Sequence, residues 1–258
     1  MSTAAGLQAK NLGDGVLLEL GPPPANIIDQ ALMEHLRLEL EMVANQSEVR
    51  FVVIAGAGKH FSYGASVAEH LPGYVDNMLA DFHRLLQAMN DLQLPPVAAA
   101  VQGRCLGGGF ELALACDFLF VDCQASLGCP EIKLGVFPPA GAALLPTRCG
   151  AGKASSMVLT GELLSGSQAA SCGLAELECA HGSVVETATA WLQQNFASLS
   201  NASVRHARRA ARWPWKDAIE NVLPELERQY LEDLMKTQDA QEGLQAFMEK
   251  RAPQWKNQ

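Results

Sequence analysis

Apolar and polar positions along the first half of the chain switch between a strand-like and a helical pattern. Val16-Leu17-Leu18-Glu19-Leu20 reads as a short strand, stopped by Gly21 and then by Pro22, Pro23 and Pro24, which cannot donate to a ladder. From Ile28 to Val43, the apolar residues Leu32, Leu36, Leu40 and Val43 recur at helical spacing and predict an amphipathic helix. Phe51-Val52-Val53-Ile54-Ala55 is then a β-rich run closed by Gly56 and Gly58. A strand, a helix and a strand in that order predict a βαβ unit and a largely parallel sheet. The pattern repeats, with a helix from Met78 to Leu92 followed by Pro95-Pro96 and the run Val97-Ala98-Ala99-Ala100-Val101.

Beyond a glycine cluster, Phe110 to Cys116 fits a short helix and Phe118-Leu119-Phe120-Val121 a strand, and the chain past Gly150 reads as mostly helical. Leu223, Leu226, Tyr230 and Leu234 predict a long helix with Pro224 near its start. A boundary near residue 195 divides an α/β core, residues 1–195, from a helical region, residues 196–258. No internal repeat or low-complexity tract is visible.

Composition narrows the class. The chain has 258 residues, 48% hydrophobic and 18% charged, as expected of a globular protein with one large core or two unequal ones. With 19 Lys+Arg against 28 Asp+Glu the formal charge is −9, which opposes a broad footprint on nucleic acid or an anionic membrane. No apolar run approaches the roughly 20 residues that cross a bilayer, and the start Met1-Ser2-Thr3-Ala4-Ala5-Gly6 lacks the n- and h-regions of a signal peptide, so a cytoplasmic location is expected. Seven cysteines, an odd number with no C-x-x-C pair, argue against a disulfide framework or a structural zinc site and read as small buried hydrophobes.

The most informative segment is Gly103-Arg104-Cys105-Leu106-Gly107-Gly108-Gly109-Phe110-Glu111. Glycines before a helix let backbone approach a ligand and aim free N–H groups at negative charge, although a tight turn packed against a sheet has the same signature. The segment is neither G-x-G-x-x-G nor followed by Gly-Lys-Ser/Thr, so the dinucleotide and Walker readings fail. Glu111 opens the following helix and Glu131 follows Cys129-Pro130. Each alone reads as an ordinary acid. Together, two carboxyl groups of unequal pKa can divide the work of adding or removing water, one taking a proton from water and the other supplying one to carbon. His60 and His70 stand outside any ligand-spaced cluster and read as packed or solvated residues, while Tyr63 could line a ring pocket or simply pack.

These motifs resemble the crotonase (enoyl-CoA hydratase/isomerase) superfamily. The resemblance spans most of the chain: Phe61-Ser62-Tyr63-Gly64-Ala65, Gly103 to Asp117, Leu127-Gly128-Cys129-Pro130-Glu131 through Leu134-Gly135, Leu159-Thr160-Gly161, and Phe247-Met248-Glu249-Lys250-Arg251. It implies a spiral of ββα turns with a helical C-terminal oligomerisation region, assembled as a homotrimer or a dimer of trimers. It also implies that the Ala65 and Gly108 amides form an oxyanion hole and that Glu111 and Glu131 occupy the acid/base positions. The implied partner is an acyl-CoA thioester substrate, with no metal and no cofactor beyond the CoA that the substrate carries. Lys250 and Arg251 are candidate contacts for CoA phosphates, within the chain or across a subunit boundary, or ordinary C-terminal helix charges.

Within the superfamily the sequence is most similar to hydratases that act on a cyclic dienoyl-CoA thioester in anaerobic aromatic degradation. The supporting residues are His60 to Val67 with Glu69-His70, Cys105 to Gly109, and Gly135-Val136-Phe137 followed by Leu144-Leu145-Pro146. Ser66 stands where Asp is frequent, and Pro138-Pro139-Ala140 replaces a more usual Pro-Gly-Ala, which removes one backbone donor. A linear 2-enoyl-CoA hydratase or isomerase is the rival enzyme. The rival of a different class is a non-catalytic RNA-binding scaffold, for which the cluster Arg205, Arg208, Arg209, Arg212 is the only support; a solvated helix face or an oligomer contact explains that cluster better.

Overall fold

The computed structural model describes residues 3–4, 6–71, 73–91 and 93–258. Among these, ten strands form two sheets. The larger takes β1 (Thr3–Ala4), β2 (Leu7–Asn11), β3 (Gly15–Leu20), β4 (Phe51–Gly56), β5 (Val97–Val101), β7 (Phe118–Asp122) and β10 (Leu177–Cys179) in that spatial order. The smaller takes β6 (Arg104–Leu106), β8 (Ser126–Gly128) and β9 (Leu164–Ser165). Pairing is antiparallel from β1 to β3 and parallel from β3 through β10, with Gly15 opposite Phe51 and Val52 opposite Val97. The predicted parallel sheet is therefore present.

The small sheet continues as isolated parallel bridges between Ser62 and Cys105 and between Ile28 and Ala65. Each pass of the chain thus lays one strand in the large sheet, one extended segment in the small sheet, and then a helix. That is a ββα spiral, the fold implied by the resemblance.

The first helix, α1 (Gln30–Ala44), starts where the Asp29 side chain accepts the Leu32 N–H, and it buries Leu32, Leu36, Leu40 and Val43 along one face. α2 (Val75–Met89) begins before the expected Met78 and buries Val75, Met78, Phe82, Leu86 and Met89; Leu92, its expected end, lies outside the described residues. The remaining helices are α3 (Gly108–Leu114), α4 (Pro139–Thr160), α5 (Gly166–Ser171), α6 (Val184–Phe196), α7 (Asn201–Ala211), α8 (Trp213–Asp217), α9 (Leu223–Glu232) and α10 (Gln238–Met248).

β4 reads as an unbroken apolar run because both of its faces are covered. Val52 and Ile54 face the core shared with α1 and α2, whereas Phe51, Val53 and Ala55 pack with Val184, Ala188 and Leu192 of α6. The long helix expected around Leu223 to Leu234 is divided: α9 ends at Glu232 and a separate 3₁₀ turn follows over Leu234–Lys236. The segment past Gly150, expected to be mostly helical, also contributes the short strands β9 and β10. The seven cysteines are free thiols, with Cys105, Cys116, Cys129 and Cys179 buried. No helix among the described residues is long and apolar enough to cross a membrane.

Candidate active site

Stacking successive turns of the spiral brings together corners that are far apart in sequence. Ala65, Gly108 and Glu131 each follow the small-sheet segment of consecutive turns. The corners are stitched by backbone: Leu106 N–H donates to Ser62 O at 3.0 Å and Gly107 N–H to Gly128 O at 3.0 Å. The Ala65 corner is pinned from behind, where Ile28 N–H donates to Gly64 O and Tyr63 N–H to Ala25 O. Asn26, buried and with φ +47, donates through Nδ2 to the carbonyls of Ala57, His60 and Phe61. Sequence reading missed Asn26, since an isolated asparagine between prolines and a helix signals only a turn.

Two backbone amides emerge at this junction. A Cβ placed on Gly108 would lie 3.1 Å from the Ala65 nitrogen, so the two expected oxyanion donors are neighbours. Among the described residues neither amide donates to backbone, and the Gly108 N–H heads α3, where first-turn N–H groups have no intrahelical acceptor. Gly107 completes the turn with φ +50, and a Cβ there would lie 2.5 Å from Glu131 Oε1; only glycine meets both demands.

Glu111, on α3, is 7% exposed and accepts the Gly141 N–H through Oε1 at 2.7 Å. Burial pushes its carboxyl up to about 7 against the pull of the Gly141 and Ala140 N–H groups, and the Glu227 charge adds to the rise. Glu131 opens a 3₁₀ turn over Glu131–Leu134, and its Oε2 is buried without a hydrogen-bond partner among the described residues. Its pKa is raised well above the ordinary carboxylate value, first by burial and then by the charge of Glu111. The two carboxyls sit in different surroundings: Glu111 Oε1 accepts the Gly141 N–H, while the Glu131 carboxyl is drawn down only by its own backbone N–H and its Oε2 has no partner among the described residues.

Both carboxyls, Ala65, Gly108 and Tyr63 line one cavity of about 360 Å³. Its wall is mostly apolar, with Met78, Leu79 and Phe82 of α2, Val136 to Ala140 at the start of α4, and Leu223, Leu244 and Phe247 from the C-terminal helices. Three further polar groups reach it that sequence reading did not assign: Lys133, Glu227 and Tyr230. Glu227 is paired with His83 Nδ1 at 2.9 Å, which ties α9 to α2.

Other candidates take different places. His60 lies outside the lining; its Nδ1 accepts the Arg104 N–H at 3.0 Å, and its ring meets Tyr63 edge-on at 5.1 Å. His70 does line the cavity, with Nδ1 bonded to Ser66 O at 2.9 Å and a pKa lowered by burial. Lys250 is not brought to the cavity: it sits exposed past the end of α10 with φ +55. Arg251 is engaged by Glu242 and Glu249.

The arginine cluster requires correction. Arg208 and Arg212 are neither on a solvated face nor free for a polyanion; they are buried and grip Asp117 at 2.6 and 2.8 Å. They also donate to the carbonyls of Met89, Asp91 and Ala115, and Arg205 donates to those of Ala44, Gln46 and Val49. Burial alone would raise the Asp117 carboxyl, but the two guanidiniums outweigh it and hold the pKa below the ordinary value. Of the four arginines, Arg209 is the exposed one.

A ββα spiral with paired glutamates beside two free amides defines a class, and the chain belongs to the enoyl-CoA hydratase/isomerase family, whose model matches residues 16–258. It is a hydro-lyase of the enoyl-CoA hydratase type acting on an acyl-CoA thioester. Among its relatives, cyclohexa-1,5-dienecarbonyl-CoA hydratase of Thauera aromatica is 40% identical over 95% of this chain and 94% of that protein. The 2,3-dehydroadipyl-CoA hydratase of Escherichia coli K12 is 35% identical over 93% and 94%. An enoyl-CoA hydratase from Mycobacterium avium subsp. paratuberculosis superposes with a TM-score of 0.86 at 25% identity, covering 98% of this chain and 99% of that one.

Proposed function

We propose that the protein hydrates cyclohexa-1,5-diene-1-carbonyl-CoA to 6-hydroxycyclohex-1-ene-1-carbonyl-CoA in anaerobic aromatic degradation. The observation that carries this reading is the pairing of Glu111 and Glu131, with unequal partners, in an apolar cavity beside the Ala65 and Gly108 amides. The Thauera relative, with that activity in its name, supports the ring substrate.

In the proposed step, ionised Glu111 takes a proton from water as the water oxygen bonds to the β-carbon. The electrons of that double bond move onto the thioester oxygen, where the two amides stabilise the charge by about 3 kcal/mol each. The second ring double bond spreads the charge into a dienolate, and protonated Glu131 delivers its proton to the remote carbon. The net result is 1,4-addition of water, with the remaining double bond shifted next to the carbonyl carbon. Proton balance needs no metal or redox cofactor, and CoA enters as part of the substrate.

Purified protein incubated with the cyclic dienoyl-CoA and, separately, with crotonyl-CoA decides the substrate. In heavy water, NMR of the ring product is expected to place deuterium on the carbon remote from the new hydroxyl. Preference for crotonyl-CoA would instead establish the linear hydratase reading, which the Escherichia coli relative favours.

The assembly proposed with this reading is a cytoplasmic homotrimer or dimer of trimers built through residues 196–258. Exposed Trp213, Phe247 and Met248 in that region support it. Sedimentation at micromolar concentration would reject it by finding a monomer.

A further inference from the structure

Tyr230 projects from α9 into the wall of the cavity with 1% of its surface exposed, and its hydroxyl has no hydrogen-bond partner among the described residues. Its ring is held in place by Phe137, edge-on at 5.5 Å between centroids and 69° between planes. A buried hydroxyl left unpaired is costly, whereas phenylalanine would fill the same space without that cost. The hydroxyl therefore calls for a partner that arrives with the ligand. Burial and then the charges of Glu131 and Glu111 raise the phenol's pKa, so it stays protonated and can donate. Glu131, another lining residue, also has a buried oxygen, Oε2, without a partner among the described residues.

We propose that Tyr230 donates its phenolic hydrogen to the oxygen that hydration adds, first as water and then as the product hydroxyl. The inference rests on the hydratase reading and names a contact within it. The geometry of water accommodates the assignment. One lone pair accepts from Tyr230 and the other attacks carbon, while one hydrogen passes to Glu111 and the second stays on the product hydroxyl. Tyr230 accordingly selects for a hydroxylated acyl thioester over the same thioester without the hydroxyl.

The test compares wild type and Tyr230→Phe by calorimetric binding of two ligand pairs. The ring pair is 6-hydroxycyclohex-1-ene-1-carbonyl-CoA and cyclohex-1-ene-1-carbonyl-CoA; the linear pair is 3-hydroxybutyryl-CoA and butyryl-CoA. For the pair whose parent alkene the wild type hydrates faster, the variant is expected to bind the hydroxylated member about tenfold more weakly or worse, with its deoxy counterpart changed less than about twofold. Unchanged binding of both members, or equal weakening of both, would overturn the assignment. The deoxy ligand also reports whether the site is intact, because the substitution keeps the ring that packs on Phe137. Wild-type turnover of the two alkenes is measured separately. A failure of the ring assignment appears there, while the linear pair still decides the role of Tyr230.

Discussion

Glu111 Oε1 accepts the N–H of Gly141 at 2.7 Å, joining the short helix after the glycine turn to the first turn of α4. Pro139 heads α4, where its missing N–H costs no helical bond, and the free N–H of Gly141 turns to the carboxyl instead. This bond opposes the burial that lifts Glu111 to about 7. Glu131 Oε2 has no donor among the described residues, and burial together with the Glu111 charge raises that carboxyl well above its ordinary value. One helix start therefore gives two acids that line the same cavity different hydrogen-bond partners.

Glu111→Gln and Glu131→Gln are each expected to lower turnover by about 10²–10⁴-fold or more while the CoA ester still binds. Single-turnover assays beside direct titration of the thioester check this. Near-wild-type hydration by either variant would reject the paired-acid mechanism.

Stability should run against activity. The folded-state pKa of Glu111 is raised from the ordinary 4.5 to about 7, so the folded protein binds this proton more tightly than the unfolded chain does. Its contribution is complete below the unfolded pKa and is lost as pH rises through the folded one, a change on the order of 1–3 kcal/mol. Urea unfolding of the apo protein at acid and neutral pH is expected to show this loss in wild type and a shallower slope in Glu111→Gln. Equal slopes would contradict the assignment.

Gly108→Ala puts a methyl group 3.1 Å from the Ala65 nitrogen and 3.1 Å from its Cβ, crowding the Ala65 amide. The position is helical, so the fold should persist. Turnover is expected to fall by about 10²–10³-fold, the usual effect of losing an oxyanion donor. A variant with normal turnover would show that the thioester oxygen is held elsewhere.

Asp117→Ala leaves Arg208 and Arg212 buried and without their counter-charge. A loss of about 3–5 kcal/mol is expected from removing one side of a buried ion-pair cluster. Chemical denaturation measures it; a change below about 1 kcal/mol, the scale of an exposed pair, would mean that the cluster is solvated in solution.

Legibility in the sequence followed local physics. Phe51 to Ala55 and Val97 to Val101 were readable because strands buried on both faces are written as continuous apolar runs. α1 was readable because its one buried face repeats at helical spacing. The start of α4 was hidden by Pro138, Pro139 and Pro146 and by Gly150, which has φ +77 inside the helical span. β10 was hidden because two of its three residues are exposed and its place depends on backbone pairing with β7.

The sequence by itself determined the alternation of strand and helix, the glycine turn and the two acids beside it, because each depends on neighbouring residues. Tertiary structure alone decided that Ala65, Gly108 and Glu131 share a corner, since only stacked turns of the spiral align them. It also converted Arg208 and Arg212 from apparent surface charges into buried partners of Asp117. Tyr230 shows the division most clearly. Its helical spacing marks it as an apolar core position, but it also lines a cavity formed by residues from distant parts of the chain, and its buried hydroxyl has no partner among the described residues.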